Sequence, residues 1–304
     1  MKLKNPEVRL ENTNFCQASC TICPREKMTR NKCTMSLEHF KLLANQAKEL
    51  GAETISVFGY GEPFMDAGLA EKIEVCTLNG LDTFVTSNAG LLNVAWAKKV
   101  LRAGLKHIRF SVHGISAPDY EKVHKGLPYM EVMSNIFNFI TINNERLDHA
   151  CKVSVTAIPQ KEEHVEGIKA FWEKHVDYLE LWKPHNWTDG RSFRSVEKRK
   201  KTCGRPFSGP VQIQADGQMI VCCFDFDGKI VVGNTHNESI EDILKGDKFN
   251  EIRRKHETGE LKGLPCESCD QLNIEEDNPL LYSSRDPDRN INTTSSTKFK
   301  IQGE

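Results

Sequence analysis

The segment Cys16-Gln17-Ala18-Ser19-Cys20-Thr21-Ile22-Cys23 constrains this chain more than any other stretch. It reads C-x-x-x-C-x-x-C and follows a short strand-like pattern, Val8 to Asn12. Three thiolates this close in sequence can face one point in space. Cysteine thiolate is the usual protein ligand for the irons of a [4Fe–4S] cubane. Three cysteines leave one iron open to a substrate or cofactor, which a catalytic cluster requires and a pure electron carrier lacks. For the triad alone, a zinc site or cysteines scattered through a core are the plainer alternatives.

The second constellation is C-terminal. Cys203 is followed by thirteen residues, Gly217, four residues and Cys222. Val211–Ala215 and Gln218–Val221 alternate around Asp216-Gly217, a hairpin signal that carries Cys222 back toward Cys203. After a helical pattern over Ser239–Lys255 comes a C-x-x-C pair, Cys266 and Cys269. Four thiolates from a hairpin and a knuckle make a closed tetrahedral set, which suits zinc or a fully ligated [4Fe–4S] cluster. Cys223 could replace Cys222, and strand alternation would put the two on opposite faces. Cys33, Cys76 and Cys151 fit no ligand spacing and read as small buried hydrophobes.

Between the two sets, strand-like runs alternate with helical patterns. The strands are Val8–Asn12, Thr54–Phe58, Thr83–Thr86, His107–Val112, Lys152–Ile158 and Tyr178–Trp182. The helices are Leu37–Leu50 behind a Ser36 cap, Ala67–Leu78, Val94–Ala103, Tyr129–Asn144 and Glu162–His175. Strict alternation implies an α/β fold with a parallel sheet and crossover helices, six units against the eight of a full barrel. Chemistry in such folds lies at the C-terminal strand ends. Gly59-Tyr60-Gly61-Glu62-Pro63 follows the second strand; its glycines permit close backbone approach, and Glu62 offers an acceptor to a cationic amine. An ordinary glycine-rich turn would read the same way. Asn88, after the third strand, either bonds a ligand or satisfies its own turn. Ser111-Val112-His113-Gly114 ends the fourth strand, and His113 and His124 read as structural rather than catalytic. Trp182 to Arg191 would line the barrel mouth or form a packed loop between domains. Arg191, Arg194, Lys198, Arg199, Lys200 and Lys201 form a basic linker, solvated unless the substrate is a nucleotide or phosphorylated.

The cysteine triad, its place after the first strand and the Gly59–Pro63 turn together resemble the radical SAM superfamily. That resemblance implies a partial (β/α)6 TIM barrel whose open iron chelates the amine and carboxylate of S-adenosylmethionine (SAM). It assigns Gly59, Gly61 and Glu62 to the SAM amino group, and Asn88 and Ser111 to contacts with SAM. Ile22 replaces the usual aromatic residue that meets the adenine through its backbone. Lys122 stands where relatives carry an arginine for the SAM carboxylate, with charge but no bidentate fork. The C-terminal pattern resembles a SPASM domain. No cysteine follows Cys269, so it matches the shortened twitch form, a hairpin plus helix with one auxiliary [4Fe–4S] cluster on Cys203, Cys222, Cys266 and Cys269.

The expected domains are the barrel over 1–190, the twitch module over 191–274 and a polar, mobile tail over 275–304. Within the twitch enzymes, Tyr60-Gly61-Glu62-Pro63, Cys203-x-x-Pro206-Phe207 and Val232-Gly233-Asn234 resemble the 2-deoxy-scyllo-inosamine dehydrogenase type. The implied reaction uses a 5′-deoxyadenosyl radical to take a substrate hydrogen atom, and the auxiliary cluster to accept an electron. His185, Asp189 and Arg191 are the candidates for taking the proton. Implied partners are a small-molecule or peptide substrate and an electron donor such as flavodoxin or ferredoxin. Rival readings are a peptide-modifying maturase and a zinc-stabilised binding protein without catalysis.

Composition narrows the setting. A 304-residue chain suits one large domain with or without a small one. Its formal net charge of -1 argues against general attraction to nucleic acid or membrane. No apolar run approaches the roughly 20 residues of a membrane span, and the first residues lack the apolar core of a signal peptide. Eleven cysteines without such a signal suggest a reducing, cytoplasmic setting.

Overall fold

The computed structural model describes residues 1–147, 151–188, 190–196 and 199–274, and the backbone of 280–284. Six parallel strands come first: β1 (Glu7–Leu10), β2 (Thr54–Val57), β3 (Asp82–Ser87), β4 (His107–Ser111), β5 (Lys152–Ala157) and β6 (Tyr178–Trp182). They pair in sequence order. The crossovers carry α1 (Leu37–Glu49), α2 (Leu69–Leu78), α3 (Val94–Arg102), α4 (Ala117–Val123) with α5 (Tyr129–Asn144), and α6 (His164–Trp172). This is the α/β partial barrel expected, with strand bounds within two residues.

The period-two pattern explains how the barrel is filled. In β1, Val8 and Leu10 are fully buried among the helices, whereas Glu7 and Arg9 are only partly buried and share the opposite, lumen face. Phe40, Leu43, Ala44 and Ala47 form the matching apolar stripe on α1. Ser36 caps that helix, accepting from the His39 N–H at 3.1 Å. The helix α4 lay outside the sequence pattern. It starts from a Ser116 cap with proline in its first turn, and it buries Tyr120 and Val123.

The C-terminal module begins with α7 (Arg205–Ser208) and then extends the same sheet. Strand β7 (Val211–Ile213) runs parallel to β1, followed by antiparallel β8 (Gln218–Ile220) and β9 (Val231–Asn234). The hairpin turns at Asp216-Gly217, with Gly217 at φ 81°. The helix expected over Ser239–Lys255 is two helices, α8 (Ile240–Lys245) and α9 (Asp247–Thr258). Gly246 breaks them, its backbone extended at φ -66°, ψ 156°.

The segment expected as a polar, mobile tail over 275–304 contains one described strand. Residues 280–284 form β10 (Leu280–Ser284), antiparallel to β6, so the sheet order is β10-β6-β5-β4-β3-β2-β1-β7-β8-β9. The rest of that segment lies outside the described residues. Among the described residues, no helix is long and apolar enough to cross a membrane.

Candidate active site

A cavity of about 620 Å³ opens at the C-terminal ends of the barrel strands. Cys16, Cys20, Cys23 and Ile22 line one wall, Gly59 to Glu62, Asn88 and Ser111 another, and Arg205, Cys223 and Phe224 the far side. The cysteine loop is pinned from several directions. Arg25 donates to the Ala18 carbonyl at 2.8 Å, Thr21 N–H to Val123 O at 2.9 Å, and Asn14 Nδ2 to Asn31 O at 2.9 Å. Burial pushes the Cys16 thiol up to about 11 and Cys20 to about 12. Buried thiols of this kind stay neutral unless a cation replaces their protons. Among the described residues, no three His, Cys, Asp or Glu side chains stand in ligating geometry around one point. The fit to an iron cluster therefore rests on three soft donors sharing one cavity wall.

Two backbone donors set the histidines behind this loop. Ile158 N–H donates to His113 Nδ1 at 3.0 Å, and His113 N–H to His124 Nε2 at 3.3 Å. The proton of His124 is thereby assigned to Nδ1, which donates to Cys20 Sγ at 3.4 Å. The rings of His113, His124 and Tyr120 stack, with centroids 4.6 and 4.2 Å apart.

Glu62 is 2% exposed and accepts from Ser87 Oγ at 2.7 Å and Asn88 N–H at 2.8 Å. Burial, only partly offset by those bonds, raises its carboxyl to about 7. Asn88 serves turn and site together: its Oδ1 accepts from Gly90 N–H at 2.9 Å and Gln17 Nε2 at 3.0 Å, and its Nδ2 lies 3.7 Å from Cys16 Sγ. Gly61 is required sterically, since a Cβ there would sit 2.2 Å from the Thr13 carbonyl oxygen and 2.7 Å from that of Phe15. At Gly59 a Cβ would meet Glu11 at 2.4 Å.

Two expected placements differ. Lys122 is exposed on α4 and does not line the cavity, because Tyr120 and Val123 take the buried face of that helix. Arg191 does not line the cavity either; it donates to Thr21 O at 3.0 Å and Cys23 O at 2.9 Å, bracing the cysteine loop. Ile22 lines the cavity as expected, and its carbonyl accepts from Trp187 Nε1 at 2.9 Å. Asp189 lies outside the described residues.

His185 is in the cavity, against Trp187 (4.1 Å) and Phe224 (4.5 Å). Neither of its ring nitrogens has a hydrogen-bond partner among the described residues. Burial pulls its pKa down to about 4, so the imidazole is neutral. Trp187 holds a left-handed backbone, φ 54°, that a bulky residue rarely adopts.

The C-terminal cysteines come from four places: the approach to α7, the turn after β8, and both ends of the 3-10 turn Pro265–Ser268. Arg199 holds the last of these by donating to Cys266 O at 3.0 Å. Burial raises Cys266 to about 12 and Cys269 to about 11. Strand alternation does not separate Cys222 from Cys223, because β8 ends at Ile220 and both lie in the following turn. They differ in partners: Cys222 Sγ accepts from Phe224 N–H at 3.4 Å, whereas Cys223 lines the cavity and accepts from Arg205 Nη1 at 2.8 Å. Cys76 and Cys151 are buried as expected, and Cys33 is half-exposed.

Sequence reasoning missed Glu11. It is 4% exposed and takes both Arg30 nitrogens (3.0 and 3.1 Å), Tyr60 N–H at 2.9 Å and Ala215 N–H at 3.0 Å. One carboxylate thus joins the barrel, the Gly59–Pro63 turn and the hairpin. The signal was the run Glu7, Arg9, Glu11, charges on one face of an otherwise apolar strand.

The family model described as "Radical SAM superfamily" matches residues 10–171. The chain belongs to the radical SAM superfamily. A second model, "Iron-sulfur cluster-binding domain" (SPASM), matches residues 203–270 of this radical SAM protein. Its cofactors are accordingly a SAM-binding [4Fe–4S] cluster, SAM and an auxiliary iron–sulfur cluster. The probable GTP 3′,8-cyclase of Saccharolobus solfataricus is 21% identical over 290 residues, 82% of this chain and 90% of that protein. The crystal structure of BtrN in complex with AdoMet and 2-DOIA matches with a TM-score of 0.63 at 18% identity, covering 90% of this chain and 95% of that one. Streptococcus suis SuiB bound to precursor peptide SuiA matches with a TM-score of 0.67 at 14% identity, covering 88% and 70%.

Proposed function

We propose that this chain is a radical SAM oxidoreductase that removes two electrons from its substrate. Cys16, Cys20 and Cys23 hold the SAM-binding cluster, and Cys203, Cys222, Cys266 and Cys269 hold the auxiliary one. When bound, these groups supply a 5′-deoxyadenosyl radical able to take a hydrogen atom from an unreactive C–H bond, and an acceptor for the second electron.

The chain's own residues supply the rest. Glu62 offers the SAM ammonium a carboxylate deep in the cavity, and Asn88 and Ser111 line the same wall. His185 takes the proton that leaves with the second electron, with Trp187 and Phe224 fixing its ring. A neutral imidazole with both nitrogens unpartnered among the described residues, in the cavity that the first cysteine set lines, is the observation that carries the oxidative reading. An electron carrier such as flavodoxin or ferredoxin would reduce the first cluster. The cysteine usage suggests that it works in the cytoplasm.

Modification of a peptide is the second reading, supported by the likeness to SuiB bound to its precursor peptide. This chain spans 95% of BtrN but only 70% of SuiB, which favours the first reading.

Iron, sulfide and Mössbauer analysis after anaerobic reconstitution tests the assignment. Two cubanes predict about eight irons per chain, and about four when Cys16, Cys20 and Cys23 are alanine. About four irons in the wild type, with zinc in the second site, would remove the electron acceptor and leave a redox-neutral reaction as the better account.

A further inference from the structure

We propose that the cavity grips its substrate by an oxyanion, a phosphate or carboxylate of a small molecule, held by Arg9, Arg109 and Arg205. This rests on the reading that the cavity is the substrate chamber. All three arginines line it. Arg9 comes from the lumen face of β1, Arg109 from that of β4, and Arg205 from the start of α7.

Their guanidinium groups are fixed in place. Arg9 forks onto Glu7 at 2.8 and 3.2 Å, and Arg109 donates to Glu180 at 3.2 Å. Aromatic faces hold the planes: Arg9 lies 5.3 Å from the Phe58 centroid, Arg109 4.9 Å from Phe84, and Arg205 4.6 Å from Phe224. Such stacking leaves the N–H edges pointing along the plane, where an oxyanion would meet them.

A guanidinium carries five N–H donors, and the partners present use only some. The Arg9 fork engages Nε and Nη2 and leaves Nη1. Arg109 gives Nη1 to Glu180. Arg205 gives Nη1 to Cys223 Sγ, and among the described residues it makes no ion pair with a carboxylate. The Glu7 and Glu180 pairs explain two arginines as a lumen-filling network. They leave the third arginine without a carboxylate counter-charge. A bound oxyanion would give Arg205 the counter-charge that a neutral ligand cannot supply.

The test titrates reconstituted, SAM-loaded protein by calorimetry with inorganic phosphate, pyrophosphate, malonate and myo-inositol. Bound SAM keeps these probes out of its own subsite. The expected result is saturable binding of at least one anion, weakened by added salt, and none of myo-inositol. Tighter phosphate or pyrophosphate binding assigns a phosphoryl group, and tighter malonate a carboxylate. Arg109→Gln and Arg205→Gln should each weaken binding by about tenfold or more, with Arg109→Lys intermediate. Iron content checks that each variant is loaded, and Arg109→Gln alters the barrel wall without touching the C-terminal cysteines. Absence of anion binding, binding unchanged in both glutamine variants, or equal affinity for myo-inositol would overturn the proposal. Reductive SAM cleavage by the same samples separates the two ideas: cleavage without anion binding removes only the subsite, and anion binding without cleavage removes only the radical reading.

Discussion

Glu62 and His124 show how single side chains set the chemistry available here. The Glu62 carboxyl titrates near 7 in the folded protein against 4.5 ordinarily. Between those values the native state holds the proton more tightly, so the contribution of Glu62 to stability is full below about 4.5 and is lost as pH rises toward 7. A cation beside it favours the carboxylate. SAM affinity should therefore fall about tenfold per unit as pH drops below 7, and the Glu62→Gln variant should lose that slope. Equilibrium dialysis at several pH values measures it, and an unchanged slope in the variant would remove Glu62 as the amine acceptor. His124 donates to Cys20 Sγ, and hydrogen bonds to cluster sulfurs raise reduction potentials. His124→Phe should shift the first cluster negative by on the order of tens of millivolts in an EPR redox titration. His185→Gln should cut product formation by about 10²-fold or more while 5′-deoxyadenosine release persists; equal loss of both would make His185 a structural residue.

At the scale of elements, the cysteine loop is held by packing that other segments supply. Its start is touched by the Gly59–Pro63 turn, where Glu62 N–H donates to Phe15 O at 2.8 Å. A Gly61→Ala side chain would collide with backbone rather than with a flexible side chain, so that variant should fold poorly or lose the N-terminal cluster while keeping the other. Iron content near four per chain is the expected reading. The helix α2 is tied to the same region through Lys72, 1% exposed, which contacts Asp66 at 2.6 Å and also the Met35 carbonyl. Asn12 Nδ2 completes that cluster at 3.0 Å from Asp66. Lys72→Ala would leave Asp66 buried without its counter-charge, a loss of about 3–5 kcal/mol. Denaturant titration measures this, and a change under 1 kcal/mol would mean that Asp66 finds water or another partner.

Across the whole molecule, one sheet runs from β10 to β9 and carries both cysteine sets on its connections. Strand β10 covers the outer edge of β6, and an uncovered edge invites pairing with another chain. Removing residues 275–304 should leave the iron content unchanged and increase self-association, seen by light scattering. Monomeric behaviour of the truncated protein would show that β6 is protected by other means.

The sequence alone determined the alternation of strands and helices, the cysteine sets and the Gly59–Pro63 turn. Each is a local pattern, in which period, spacing and turn chemistry are set by neighbours in the chain. It also placed the hairpin at Asp216-Gly217, because only a few residues suit that turn. Only the tertiary structure decided that Lys122 faces solvent, because the short helix beneath it owes its burial to distant contacts. The same holds for Arg191, whose guanidinium finds carbonyls in a loop some 170 residues away. The joining of hairpin and barrel into one sheet through β1 and β7, the hub at Glu11 and the three arginines of one cavity depend on residues far apart in the chain. Long-range pairing and burial decide such features, and no local pattern encodes them.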